Sequence, residues 1–135
     1  MKIDPEDQKF QLFSEFAIRK IGGIRHCVMS ELETGLLLGR NSRYVDNSVD
    51  LNKISSVMST IFSLGTHECD NNLNMSINEF GSYRIFSTRS SDRVISLVAD
   101  NQTQVGLVRM LIQKYYQPHG TKIEAGHDVI VSESL

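Results

Sequence analysis

Residues 83–99 read YRIFSTRSSDRVISLVA, and this stretch decides the fold. Two apolar-rich runs, Tyr83–Thr88 and Val94–Ala99, are separated by the short polar segment Arg89–Arg93. Parallel neighbours need a crossover of roughly a dozen residues or more, so this linker predicts an antiparallel hairpin. Because Val94–Ala99 is apolar on both of its faces, we expect it mid-sheet, with helices above and below.

Two further segments extend this hairpin into a larger antiparallel sheet. Leu73–Asn78 alternates apolar and polar residues, and a turn at Gly81 follows it, which predicts a three-stranded meander. Upstream, the apolar runs Ile24–Met29 and Leu36–Leu38 flank the turn Glu31–Gly35 and predict a second hairpin. The first of these runs is apolar enough to be a neighbour of the central strand.

Apolar residues at helical spacing predict three helices. The first runs from about Asp4 to Lys20, and the second from about Asp50 to Leu64, where Gly65 is expected to end it. The third has Val105 and Tyr115 on its inner side and ends before Pro118. Residues 40–47 are expected to be a polar connection. The connection through the second helix alone is long enough for a parallel crossover, which excludes a doubly wound nucleotide-binding sheet.

Length and charge limit the possible partners. The 135 residues suit one domain, and we expect a single domain over residues 1–117 followed by a flexible tail, 118–135. A net charge of -2 argues against nucleic-acid binding, which needs clustered cations. No apolar run is long enough for a membrane span, and no signal peptide is evident. No direct membrane insertion is therefore expected. Because the two cysteines make no disulfide framework, we expect a reducing, cytoplasmic location.

Two residue clusters were candidates for metal or nucleophile chemistry. His67-Glu68-Cys69-Asp70 resembles a metal cluster, but a zinc signature needs two separated ligand pairs, so a polar loop and no metal site are expected. His26 and Cys27 are adjacent on a strand and therefore point to opposite faces. We expect Cys27 to be a buried thiol and His26 to be a hydrogen-bonded core or subunit-contact histidine.

Other chemical signals are weaker still. Glu31 and Glu33 lie in a hairpin turn, where carboxylates are solvated and are not expected to act as acid or base catalysts. The GLLLG segment at residues 35–39 lacks the lysine and hydroxyl residue of a P-loop. Asp100 or Asn101 is expected to cap the third helix. The sequence therefore predicts no catalytic residue, no cofactor and no enzyme activity.

The strand Leu73–Asn78 has the pattern of an unprotected sheet edge. It is apolar on one face only, and it contains no Lys, Pro or Gly that would discourage pairing with another chain. A second copy of the chain is the simplest cover for such an edge. We therefore predict a dimer interface that includes Leu73, Met75 and Ile77.

Over about residues 8–117 the sequence resembles the roadblock/LC7 domain family. The segments that carry the likeness are IGGIRHCVMSELETGLLLG, DLNKISSVMSTIFSLG and INEFGSYRIFSTRSSDRVISLVADNQTQVGLVRMLI. Gly35, Asp100, Gly106 and Arg109 stand at the positions where the family has its hairpin glycine and its strand-to-helix pattern. The turn ELETG departs from the family's more frequent Asp-Gly, and the tail after Pro118 is not covered.

This resemblance implies an α+β, roadblock/profilin-like α-β-α sandwich with a five-stranded antiparallel sheet in the order 2-1-5-4-3. It also implies a homodimer, or a heterodimer with a related roadblock subunit, in which the third strands pair and the helices after the second strands lie together. The resemblance further implies a non-enzymatic role, because family members act as GTPase-activating or scaffold subunits that bind small Ras-like GTPases. Other members are dynein light chains. The edge-strand argument falls on the same strand.

The second helix is the candidate for a shared dimer and partner surface, because its apolar stripe is wider than one core face needs. The alternative is that the whole stripe is buried under the sheet, and periodicity does not separate the two. Dimer contacts are expected from Ile54, Met58 and Ile61, and contacts with a partner from Val57, Phe62 and Lys53.

Two further hypotheses remain open. An arginine that contacts the GTPase nucleotide could come from Arg40, Arg43 or Arg84. Alternatively, the domain is a profilin-like or PAS-like small-molecule sensor, or another protein-interaction module. A sensor needs a cavity between sheet and helix with converging polar groups, and the strands offer only His26 and Ser96 as inward polar residues.

Overall fold

The computed structural model describes residues 4–46, 48–69 and 75–116, and for residues 65–69 it describes the backbone alone. The described residues up to Thr103 form one compact unit, and those from Gln104 onward belong to a second, in which a helix is described. The elements are α1 (Pro5–Lys20), β1 (Ile24–Glu31), β2 (Leu37–Ser42), α2 (Leu51–Cys69), β3 (Ser76–Phe80), β4 (Tyr83–Ser90), β5 (Arg93–Asp100) and α3 (Val105–Tyr116).

The five strands form one sheet in the order β2-β1-β5-β4-β3, and every neighbouring pair is antiparallel. β5 lies at the centre, and its residues from Val94 to Ala99 are all buried. β1 is its neighbour. The predicted fold class, strand order and central strand are therefore confirmed.

Helices α1 and α2 lie on opposite faces of the sheet. Cys27 of β1 faces α1, where its Sγ lies 4.0 Å from the carbonyl oxygen of Ser14. Val28, the next residue, belongs to the core cluster that contains Met58 and Phe62 of α2. Because adjacent strand residues point to opposite faces, this pair fixes one helix above the sheet and the other below it.

Helix α1 forms as its sequence predicts. The carboxylate of Asp4 accepts a hydrogen bond from the backbone N–H of Glu6 at 2.8 Å, which satisfies one of the free amides at the helix start. Phe10, Phe13 and Ala17 are buried at helical spacing. The cap and the apolar stripe together account for the helix.

Two predicted boundaries are wrong. β2 begins at Leu37 and runs on to Ser42, through polar residues that were expected to form a connection. Backbone pairing with β1 holds this part of the strand, with Arg40 opposite Val28. Helix α2 passes Gly65 and ends at Cys69, since one helical glycine costs only about 1 kcal/mol.

The predicted third strand is displaced along the chain. β3 spans Ser76–Phe80 instead of Leu73–Asn78, and Leu73 and Asn74 lie outside the described residues. The predicted tail, residues 118–135, also lies outside them. The single domain over residues 1–117 stays a prediction. None of the helices in the described ranges is long and apolar enough to cross a membrane.

Two buried serines of α2 hold the β1–β2 hairpin. Ser55 donates a hydrogen bond to the carbonyl oxygen of Gly35 at 2.9 Å, and Ser59 donates one to that of Glu31 at 3.1 Å. Gly35 has a φ of 74°, and a Cβ there would lie 3.1 Å from Cα of Ser56. The turn needs glycine both for its backbone conformation and for the close approach of α2.

Candidate functional site

The outer edge of β3 is unpaired within the described chain, because β3 pairs with β4 alone. Ile77 is 39% exposed and Phe80 41% exposed. Ile77 lies opposite Phe86, which lies opposite Leu97 on the α1 side of the sheet. Phe80 lies opposite Tyr83 on the α2 side. The edge therefore presents apolar side chains on both faces.

Helix α2 carries a second apolar surface, on the same face of the sheet as Phe80. Ile54, Val57 and Ile61, which we call the α2 flank, are partly buried and pack against the core cluster. Their helical positions lie on the side opposite Ser55 and Ser59, which hold the hairpin. The α2 flank therefore points toward the β4–β3 side of the sheet.

The structure separates the residues predicted for the dimer and partner surfaces. Ile54, Ile61 and Val57 keep exposed surface, Lys53 is exposed, and Met75 is partly buried directly before β3. Met58 and Phe62 are 0% exposed and belong to the core cluster, so they offer no surface in the single chain, and the contacts predicted for them stay predictions. Periodicity identified the stripe, but only packing shows which of its residues point into the core.

Phe80 is an interface candidate that the sequence interpretation missed. Ending the third strand at Asn78 assigned Phe80 to the turn, whereas it is the last residue of β3. The available signal was an apolar residue directly before the Gly81-Ser82 turn. It lies on the same strand face as Ser76 and Asn78 and breaks the alternation, which is why the pattern did not include it.

The three candidate arginines differ in whether described residues already bind their guanidinium groups. Arg43 donates to the carbonyl oxygens of Ile24 at 2.9 Å and of Ile21 at 3.0 Å, and also to that of Ile18, so it holds the end of α1. Arg84 pairs with Glu79 at 3.1 Å. Arg40 is exposed and forms no ion pair with a described residue. Of the three, Arg40 is the one free to contact another molecule.

A polar cluster lies where β1 meets the connection before α2. Nδ1 of His26 lies 2.8 Å from the hydroxyl oxygen of Ser42, and Nε2 lies 3.9 Å from a carboxylate oxygen of Asp46. That carboxylate also accepts hydrogen bonds from Ser48 and, at 3.4 Å, from Tyr83. The prediction of a hydrogen-bonded, buried His26 is confirmed, and Asp46 ties this connection to β4.

Burial controls the titration of this cluster. Desolvation lowers the pKa of His26 below its ordinary value, and the carboxylate of Asp46 opposes this effect only in part. Hydrogen bonds from Ser48 lower the pKa of Asp46. The histidine therefore favours the neutral form, and Asp46 stays ionised.

The candidate nucleophile and the candidate metal cluster form no catalytic or metal site among the described residues. Cys27 is buried, and burial raises the pKa of its thiol, as expected for a structural cysteine. His67 to Cys69 lie in the last turn of α2 instead of a loop, and Asp70 is outside the described residues. Among the residues whose side chains are described, no group of three or more His, Cys, Asp or Glu could hold a metal ion.

A groove of about 150 Å³ lies between the hairpin turn and the outer face of α2, and it is open to solvent. Hydroxyl groups dominate its lining, which consists of Leu32, Glu33, Thr34, Gly35, Ser56, Ser59, Thr60, Ser63 and Leu64. Small-molecule sites typically occupy about 300–1,000 Å³ and are mainly apolar. The groove therefore does not have the character of a sensor cavity.

Solved structures share this architecture. The gliding protein mglB from Thermus thermophilus matches with a TM-score of 0.70 at 10% identity, over 87% of this chain and 90% of that one. MglB from Myxococcus xanthus matches with a TM-score of 0.68 at 16% identity, over 87% and 89% of the two chains. A roadblock/LC7 domain from Streptomyces avermitilis matches with a TM-score of 0.65 at 12% identity, over 82% and 94%.

Profilin II from Acanthamoeba castellanii also matches, with a TM-score of 0.56 at 11% identity, over 81% of this chain and 94% of that one. No protein-family model and no curated protein matches the sequence. At such identities the structural likeness shows the fold and leaves the function to be argued from the surface. The chain therefore has the fold of the roadblock/LC7 domain, as the resemblance of its sequence predicts.

Proposed function

We propose that the protein is a non-enzymatic, dimeric regulatory or scaffold module that binds a small Ras-like GTPase. The observation that carries this proposal is the unpaired edge of β3, with Ile77 and Phe80 exposed on its two faces and the partly exposed α2 flank on the same face as Phe80. The chain shares the fold of roadblock domains. Its sequence resembles the same family, whose members are partners of small GTPases. A homodimer and a cytoplasmic location belong to the same proposal.

The proposed dimer joins two copies along their β3 edges. Antiparallel pairing of β3 with its symmetry mate satisfies the free backbone groups of both strands and makes one continuous sheet. The same operation brings the two α2 helices together and covers Ile54 and Ile61 of the α2 flank, while Val57 stays open to a partner. A stable interface buries roughly 800 Å² per partner, and we propose that the edge and the α2 flank together form it.

The proposed GTPase surface lies on the exposed side of α2. Lys53 is exposed there and Val57 is partly exposed, so they offer one cation and one apolar contact. A module of this kind needs no nucleophile, because it changes a GTPase by binding one conformation of the switch loops more tightly than the other. This mechanism agrees with the absence of a catalytic motif from the sequence.

The sensor alternative lacks a matching observation. It requires a cavity between sheet and helix, whereas the open groove described above lies outside the sheet, between the hairpin turn and α2. The polar groups expected inside already have partners. His26 is hydrogen-bonded to Ser42 through Nδ1, and the hydroxyl oxygen of Ser96 lies 2.7 Å from that of Ser87. We therefore retain the interaction module as the proposed function.

The test is recovery and reconstitution of the partner. The tagged chain is purified from extracts of its own organism, and copurified proteins are identified by mass spectrometry. A recovered GTPase is then produced pure, loaded with GDP or with a non-hydrolysable GTP analogue, and titrated with the protein. We expect a small Ras-like GTPase that binds one nucleotide state at least about tenfold more tightly than the other.

A matched pair of charge reversals locates the contact. Lys53→Glu on α2 should weaken GTPase binding, while Lys20→Glu at the exposed end of α1 should leave it unchanged. Failure of both nucleotide states to bind the protein contradicts the proposal. Equal weakening by the two substitutions contradicts the assignment of the surface to α2.

A further inference from the structure

The opposite edge of the sheet is also unpaired within the described chain, because β2 pairs with β1 alone. We call the segment Leu36–Ser42 the β2 edge. Leu36 is 61% exposed and Leu38 is 40% exposed. Two more exposed large apolar residues follow the strand after Arg43, Tyr44 at 46% and Val45 at 85%. Residues 36–45 therefore contain four large apolar side chains that are exposed.

Two arginines interrupt this segment, and Arg43 donates its hydrogen bonds to backbone carbonyls at the end of α1 and the start of β1. Arg40 is exposed, forms no ion pair with a described residue, and lies opposite Val28 on the side of the sheet that α2 covers. A segment that pairs with the β2 edge places one of its side chains next to Arg40 on the same face. Opposite charges at neighbouring cross-strand positions stabilise a sheet, so Arg40 selects a carboxylate.

The same cation disfavours a second copy of the chain on this edge. An antiparallel self-pair of β2 centred near its middle puts the two Arg40 side chains directly opposite or diagonal to each other. Like charges in these positions destabilise the pair. The β2 edge therefore differs from the β3 edge, whose Glu79 is already paired with Arg84.

The β2 edge also leads into the groove beside α2. Gly35, which lines the groove, directly precedes Leu36, and Thr60 and Ser63 line the other wall. An extended segment that runs past Leu36 can place its next residues there. The hydroxyl groups of the groove suit the backbone amides and carbonyls of such a segment.

We infer that the β2 edge is a docking site for an extended segment of a partner protein that carries an acidic residue between apolar ones. The segment adds a sixth strand to the sheet, its carboxylate contacts Arg40, and its apolar side chains cover Leu36 and Leu38. This inference does not depend on the proposed GTPase or on the dimer.

The probe is an acetylated, amidated peptide, Ser-Thr-Val-Glu-Val-Thr-Ser, titrated into the isotope-labelled full chain. We expect saturable shifts of backbone NMR signals in Leu36–Ser42 and at Thr60 and Ser63. Arg40→Glu should weaken binding about five- to tenfold, and a peptide with Lys in place of Glu should recover it. Arg19→Glu, at another exposed arginine, should have no effect.

A second peptide tests strand addition separately from charge. The same sequence with N-methyl groups on alternate amides keeps its carboxylate but loses the hydrogen bonds of a paired strand. We expect it to produce no shifts. Equal binding of the methylated peptide, shifts that spare the β2 edge and occur elsewhere in the chain, or no shifts with the unmodified peptide each overturn the inference. So does Arg40→Glu binding the unmodified peptide with wild-type affinity.

Discussion

Gly23 lies directly beneath a turn that closes over it. The carboxylate of Asp100 accepts hydrogen bonds from the backbone N–H of Gln102 at 3.1 Å and from the hydroxyl of Thr103 at 3.0 Å. It thus closes this turn, whereas the sequence led us to expect a cap on α3. A Cβ on Gly23 would lie 2.0 Å from Oγ1 of Thr103.

Gly23→Ala should therefore be strongly destabilising. The added methyl group forces Thr103 and its turn to move, and overpacking of this kind costs about 1–3 kcal/mol. Urea denaturation followed by circular dichroism measures the change in the free energy of unfolding. Gly22→Ala is the matched control, because a Cβ on Gly22 meets nothing within 4 Å. Equal losses in the two variants contradict this account.

His26 should make the stability of the protein depend on pH. Burial lowers its pKa in the folded protein from the ordinary value of 6.5, so below that pH the unfolded chain binds a proton that the folded chain does not. The free energy of unfolding is therefore highest above pH 6.5 and should fall as the pH falls from 6.5 toward the lowered pKa.

Thermal melts of the wild type and of His26→Gln between pH 7.5 and 5 test this prediction. The variant should lose less stability than the wild type as the solution is acidified, because it lacks the titrating group. Asp46 does not add to the difference in this range, since hydrogen bonds from Ser48 lower its pKa from an already acidic value. Parallel pH profiles of the two proteins contradict the assignment to His26.

At the scale of the element, α2 is attached to the β1–β2 hairpin by hydroxyl groups. Ser55→Ala and Ser59→Ala each remove a hydrogen bond to a hairpin carbonyl and should each cost about 1 kcal/mol. Ser56→Ala is the control on the same helix, because Ser56 is exposed. Chemical denaturation measures the free energy of unfolding of each variant. Equal losses in all three variants contradict this role for the buried serines.

The sequence predicts elements well where one segment contains its own signal. The central position of β5 follows from apolar residues on both of its faces, and the start of α1 follows from Asp4 and Pro5. The extension of β2 to Ser42 depends instead on backbone pairing with β1, which leaves no mark on side-chain pattern. The same holds for β3, whose end at Phe80 is set by its pairing with β4.

The candidate site was predictable only in outline. Periodicity shows that α2 has a wide apolar stripe, but the division between core and flank depends on where the sheet lies. Phe62 and Met58 point into the core, while Ile54 and Ile61 stay partly exposed. The docking edge at Arg40 was likewise invisible, since the sequence placed this residue in a connection.

At the scale of the whole molecule, the β3 edge should control self-association. Phe80→Lys introduces a cation on the α2 side of the β3 edge, where the proposed dimer excludes water, and a buried unpaired charge is costly. We expect the variant to stay folded and to weaken the dimer at least about tenfold. Leu12→Lys, at a 55% exposed position on α1, is the matched control and should assemble as the wild type does.

Sedimentation equilibrium of the wild-type protein, Phe80→Lys and Leu12→Lys at micromolar concentrations tests the central claim most directly. The account predicts a dimer for the wild type and for Leu12→Lys, with a shift toward monomer for Phe80→Lys alone. A wild-type protein that is monomeric throughout, or a Phe80→Lys variant that dimerises with wild-type affinity, contradicts it.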